Sequence, residues 1–127
     1  MFVVTGGAGF IGSNLAAALE TRWPGRVIVC DRLEGDDKWR NVAKRELADV
    51  VEPDKLFEFL GDNRSGIHGL IHLGAISSTT ETDVDLILST NFKLSLDLWR
   101  WCTAQSVPFI YASSAATYGD GEAGFDD

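Results

Sequence analysis

Gly6, Gly9 and Gly12 recur at intervals of three in Thr5-Gly6-Gly7-Ala8-Gly9-Phe10-Ile11-Gly12, and each glycine has a physical use. Gly6 lets a chain leaving a strand turn sharply. Gly9 has no Cβ to keep a pyrophosphate off the main chain, and Gly12 lets the next helix pack close to the strand. The first N–H groups of that helix, at the positive end of its dipole, then face the diphosphate. Spaced glycines also mark ordinary turns, so context decides. The apolar run Phe2-Val3-Val4 precedes them, and Ser13-Asn14-Leu15-Ala16-Ala17-Ala18-Leu19 follows at helical spacing. About twenty residues further on, Asp31 ends a second apolar run, as the dinucleotide fingerprint requires.

The other residues with chemical potential are few. Asp31 stands where a carboxylate accepts the ribose hydroxyls of an adenosine; without a ligand it would be an ordinary turn former. A carboxylate alone favours NAD, but Arg32, Lys38 and Arg40 bring cations that would attract the 2′-phosphate of NADP. NADP is therefore expected, with NAD open. Ser114 follows an apolar run and could hydrogen-bond a substrate alcohol or carbonyl; the plainer reading is a cap. His72, after Leu70-Ile71, reads as a satisfied core histidine. Tyr118 has Glu122 four residues on, so it forms no Tyr-x-x-x-Lys pair, and none occurs in the 127 residues. Cys30 and Cys102 sit in apolar segments without metal or disulfide spacing, so buried thiols and no metal are expected.

The elements that must position these groups follow from the apolar pattern. A first helix is expected from Ile11 to Arg22, punctuated by Trp23-Pro24-Gly25, and a second strand over Arg26–Asp31. Residues 32–41 read as a polar loop with a turn at Gly35-Asp36. Leu47-Ala48-Asp49-Val50 reads as an edge-ward third strand, and Pro53–Leu60 as a short amphipathic helix with proline in its first turn. His68–Ala75 reads as a strand, Asp83–Gln105 as a long helix after a loop of small hydroxyl residues, and Val107–Ser113 as the last strand. Strands alternating with helices over short connections predict an α/β fold, a doubly wound parallel sheet with right-handed crossovers. Gly6–Gly12, Asp31, Gly74–Thr80 and Ser113–Thr117 then converge on the carboxyl edge, where such sheets bind ligands.

Bulk properties narrow the partners. The length suits one domain, and 45% hydrophobic with 24% charged residues is ordinary globular composition. A formal net charge of −8 gives no basic field for nucleic acid or an anionic membrane. No signal peptide is read before the first strand and no apolar run has membrane-spanning length, so a cytoplasmic location is expected.

Thr5–Asn14, Asp31 and Ala112-Ser113-Ser114-Ala115-Ala116-Thr117-Tyr118-Gly119 resemble the extended short-chain dehydrogenase/reductases that act on nucleotide sugars. Gly74-Ala75-Ile76-Ser77-Ser78-Thr79-Thr80-Glu81 is most similar to the branch that epimerises ADP-heptose at carbon 6. The resemblance covers the whole chain but only the amino-terminal part of such an enzyme. It implies a Rossmann fold over residues 1–127, incomplete and lacking the substrate domain. By the same resemblance Phe10 and Ile11 lie over the pyrophosphate turn, Asp31 and Arg32 bind the adenosine ribose, and Lys38 reaches the 2′-phosphate. Leu73, Gly74, Ala75, Ile76 and Ser77 line the cofactor cleft, Asn91 stands near it, and Ser114 is the catalytic serine. Arg32 stands where a member of that branch has asparagine, and Leu73 where it has glutamate, making this cleft wall more apolar. The resemblance further implies an ADP-heptose substrate, a homo-oligomer at full length, and a role in lipopolysaccharide core biosynthesis. Hydride would pass from carbon 6 to NADP and return to the opposite face. The catalytic tyrosine and lysine would follow residue 127, so the chain alone would bind cofactor without turnover. Another sugar-nucleotide 4-epimerase or dehydratase, and a non-catalytic dinucleotide-binding module, are the alternatives.

Overall fold

The computed structural model of the chain describes residues 1–33, 37–78 and 80–125. The expected turn at Gly35-Asp36, Thr79 of the hydroxyl loop, and Asp126 and Asp127 of the tail lie outside the described residues. Five strands run parallel in one sheet: β1 (Phe2–Thr5), β2 (Val27–Cys30), β3 (Asp49–Val51), β4 (Gly69–His72) and β5 (Phe109–Tyr111), in the order β3-β2-β1-β4-β5. Val4 of the central strand is level with Val29 on one side and Ile71 on the other, so Thr5, Cys30 and His72 end at one height. This is the doubly wound Rossmann arrangement.

Alternation of side chains along the strands explains why both faces are apolar. Val3, Ile28 and Leu70 face one layer, with Leu56 and Leu60 of α3 (Leu56–Asp62) and Leu98 and Cys102 of α5 (Leu94–Gln105). Val4, Val27 and Val29 face the other, with Ala16 of α1 (Phe10–Arg22) and Val42 of α2 (Trp39–Val42). Nearly all of these are fully buried. At about 25 cal/mol per Å² of apolar surface, such burial is the main force holding the layers together.

The differences from expectation are local. α1 starts one residue early, at Phe10. The polar loop after β2 contains the helical turn α2. The third strand is shifted to Asp49–Val51 and does lie at a sheet edge, with Leu47 packed on the core below it. The long helix begins at α4 (Val84–Ile87), capped by the Asp83 carboxylate accepting the Leu86 N–H at 2.9 Å. It passes through a π-helical segment, Leu88–Lys93, before continuing as α5. Its end is fixed by Ser106 in the left-handed region (φ 57°). β5 forms the other sheet edge, and Ile110 there is 65% exposed. Cys30 and Cys102 are buried free thiols, as expected.

Candidate functional site

The carboxyl edge begins with the glycine turn. Gly6 has φ +65°, and a Cβ on it would come within 2.8 Å of the Gly74 amide nitrogen. The loop leaving β4 is thus pressed directly against the turn leaving β1. At Gly12 a Cβ would collide with the Gly6 carbonyl oxygen and approach Gly7 Cα to 2.7 Å, so its closest partner is the facing limb of the turn itself. Gly9, the residue before α1, has only the Gly6 oxygen near its missing Cβ, at 3.2 Å. The Ser13 N–H makes the first bond of the α1 ladder, to Gly9 at 2.9 Å. The Phe10, Ile11 and Gly12 amides therefore precede that ladder and form the donor end of the helix. The Phe10 and Ile11 side chains are 85% and 69% exposed over this turn.

Asp31, at the end of β2, is drawn towards the same turn. Its Oδ2 accepts the Ala8 N–H at 2.9 Å, and its Oδ1 accepts the Arg32 N–H at 2.8 Å. The Lys38 ammonium lies 3.7 Å from Oδ1. The Arg32 guanidinium is engaged by Asp54: its Nη2 donates to both carboxylate oxygens, at 2.9 and 3.0 Å, in an exposed pair. Asn41 was not singled out in the sequence, yet its Nδ2–H donates to the Ala8 carbonyl at 2.8 Å and clamps the turn from α2.

The β4 loop forms the opposite wall. Leu73 N–H donates to the Thr5 carbonyl (3.1 Å) and Gly74 N–H to Thr5 Oγ1 (3.1 Å). Asn91, in the π-helical segment, accepts the Ile76 N–H at 2.7 Å and donates to the Ile76 carbonyl at 2.9 Å. Asn91 therefore sits against this loop, with its amide engaged by backbone. Ala75 and Ser77 are exposed on the loop, whereas Leu73 is partly buried. His72 is buried between Thr5 Oγ1 (2.6 Å) and Ser95 Oγ (2.9 Å), the satisfied core histidine the sequence suggested. Burial pushes its pKa below the ordinary value. Ser95 carried no sequence signal beyond being a hydroxyl between two leucines.

Ser114 lies past the end of β5, exposed, and its Oγ accepts the Ala116 N–H at 3.2 Å. It caps the 3₁₀ turn Ala115–Tyr118, so the plainer of its two readings is met in this geometry. Among the described residues no group of His, Cys, Asp and Glu could hold a metal ion, and no helix is long and apolar enough to cross a membrane. Burial pushes the Cys30 thiol up to about 12 and the Cys102 thiol to about 11, which removes both as nucleophiles. What remains is one edge that offers helix-end amides, a carboxylate with a neighbouring ammonium, and a pinned loop facing them.

The chain is similar in sequence and in fold to known proteins. The family model described as NAD dependent epimerase/dehydratase family matches residues 2–127. An ADP-L-glycero-D-manno-heptose-6-epimerase of Fusobacterium nucleatum is 44% identical over the whole chain, and one of Nitratidesulfovibrio vulgaris is 40% identical. The chain spans 39% and 40% of those two proteins' lengths. Among solved structures, UDP-glucuronic acid 4-epimerase from Bacillus cereus, in complex with UDP-glucuronic acid and NAD, superposes with a TM-score of 0.80. It is 25% identical and the match covers 99% of this chain and 44% of that one.

Proposed function

The chain belongs to the NAD dependent epimerase/dehydratase family, and on that premise we propose that it is the dinucleotide-binding part of an ADP-heptose 6-epimerase. One observation carries the reading. The donor end of α1, Asp31 with Lys38, and the Leu73–Ser77 loop meet at a single sheet edge, in a chain 44% identical to such an enzyme. The edge fits the group it would hold, because nothing but the Gly6 oxygen stands near the missing Cβ of Gly9, beside unladdered amides.

When bound, the dinucleotide supplies a reversible hydride acceptor, so a carbinol carbon can be oxidised and then reduced from its other face without net consumption. This chain's residues hold and orient. The Phe10, Ile11 and Gly12 amides take the pyrophosphate, and Asp31 accepts the adenosine ribose hydroxyls. Lys38, beside Asp31, takes the 2′-phosphate of NADP. Phe10 and Ile11 cover the turn, and Leu73, Gly74, Ala75, Ile76 and Ser77 wall the cleft, with Asn91 pinning that wall. Ser114 exchanges its capping bond for one to the substrate oxygen and assists proton movement there. The substrate domain and the tyrosine–lysine pair belong to the remaining length that the relatives have. The whole protein acts in the cytoplasm as a homo-oligomer, supplying the heptose of lipopolysaccharide core; the present chain binds cofactor without turnover.

Calorimetric titration with NADP⁺ and NAD⁺ tests this. Tighter NADP⁺ binding supports the heptose-epimerase reading. Tighter NAD⁺ binding favours a 4-epimerase or dehydratase, for which the Arg32–Asp54 pair speaks, since it ties that guanidinium to a carboxylate. Binding of neither dinucleotide by the folded chain removes the proposal.

A further inference from the structure

His72 joins two anchors of the cleft wall by a chain of hydrogen bonds whose direction is fixed from the Ser95 end. At one end the Gly74 N–H can only donate, and it donates to Thr5 Oγ1 at 3.1 Å. At the other end the main-chain carbonyl of Asn91 can only accept, and it accepts the Ser95 hydroxyl at 2.9 Å. Between them lie Thr5 Oγ1 to His72 Nδ1 at 2.6 Å and His72 Nε2 to Ser95 Oγ at 2.9 Å. Each hydroxyl has one proton to give. Ser95 gives its proton to Asn91, so Nε2 must carry a hydrogen and donate to Ser95. In the neutral ring Nδ1 is then bare, and the Thr5 hydroxyl, which accepts the Gly74 N–H on one lone pair, gives its proton to Nδ1. Burial favours the neutral ring, and with its hydrogen on Nε2 four links use four protons. A second ring proton would face the Thr5 hydroxyl already directed at it.

The two ends of this chain hold one loop. Gly74 is pinned to β1 and packed on Gly6, while Asn91 grips Ile76 through its side-chain amide. We propose that His72, in its neutral Nε2–H form, is a positioning residue that sets the Leu73–Ser77 wall against the glycine turn by coupling Thr5 to Ser95. This rests on the dinucleotide reading for the use of that wall, but the coupling is a property of the chain alone.

The test is run on the intact chain without cofactor. Nitrogen NMR of the His72 ring in the unaltered chain is expected to show hydrogen on Nε2 and none on Nδ1. Thr5→Val and Ser95→Ala are each expected to speed amide exchange at Gly74 and Ile76 by about tenfold, the factor carried by one ordinary buried hydrogen bond. Exchange in β2 should stay as it was, and Thr5→Ser, which keeps the hydroxyl, should restore the slow rate. Hydrogen on Nδ1, unchanged loop exchange, or equal acceleration throughout the sheet would overturn the proposal. Selective loop exchange together with absent NADP⁺ and NAD⁺ binding would instead remove the dinucleotide reading and leave the positioning role standing.

Discussion

Asn91 holds both the N–H and the C=O of Ile76, at 2.7 and 2.9 Å, from a helix fifteen residues further along the chain. A carboxamide can do this because it carries a donor and an acceptor side by side; a carboxylate cannot. The π-helical segment Leu88–Lys93 contains Asn91, and such segments recur at functional sites. Asn91→Asp keeps the bond to the N–H and sets a negative oxygen against the Ile76 carbonyl. It is expected to weaken dinucleotide binding by about tenfold, on the scale of one lost and one repulsive contact. Asn91→Gln, too long for the same reach, should do no better. Isothermal calorimetry on both variants checks this.

The cation arrangement at Asp31 makes a second prediction. Lys38→Ala should lower NADP⁺ affinity by roughly tenfold, the range of a single charge-assisted contact, and leave NAD⁺ affinity nearly unchanged. Asp54→Ala releases the Arg32 guanidinium from the carboxylate that holds its Nη2 and should shift the preference a few-fold towards NADP⁺. Loss of that exposed ion pair should cost no more than about 1 kcal/mol in stability. A ratio of affinities that is the same in all three proteins would remove both cations from cofactor choice.

Glycines here differ in what they tolerate. Gly12→Ala drives a methyl into the Gly6 carbonyl and the Gly7 Cα, so the turn must open. Destabilisation by about 1–3 kcal/mol is expected, with loss of dinucleotide binding. Gly61 lies within α3 with nothing near its missing Cβ. Gly61→Ala should therefore stabilise by about 0.5–1 kcal/mol. Urea denaturation of the two variants should give shifts of opposite sign.

Stability should depend on pH through His72. Burial lowers its folded pKa below the ordinary 6.5, so the unfolded chain binds a proton that the folded protein refuses. Above pH 6.5 both states are neutral and nothing is lost. As pH falls from about 6.5 towards the folded value, stability falls. Glu20, whose pKa is lowered chiefly by the Glu46 N–H, acts in a separate window below 4.5. Urea midpoints between about pH 7.5 and 5.5, which straddle the ordinary histidine value, should thus decline in the unaltered chain, and decline less in His72→Gln whatever its baseline.

The thiols give a simple check on the core. Cys30 and Cys102 are buried with pKa values raised to about 12 and about 11. Neither should react with a thiol reagent at neutral pH while the chain is folded, and both should react in denaturant. Rapid labelling of either in the native protein would mean that its core cluster opens.

The sequence by itself determined the fold class, the glycine turn and the position of Asp31. Apolar runs of strand length, helical spacing and glycines that only certain backbones require are local signals, and each is written within a few residues. The same locality explains what it left undetermined. Whether Arg32 turns to Asp31 or to Asp54 depends on a residue twenty-two positions away, brought alongside by the sheet. That Ser114 caps its own turn, that Asn41 clamps Ala8, and that Thr5, His72 and Ser95 form one line between β1, β4 and α5 are likewise decided by packing. A hydrogen bond between distant residues needs both partners placed by the layers around them. Composition and periodicity describe the layers, and only their assembly selects which polar atoms meet.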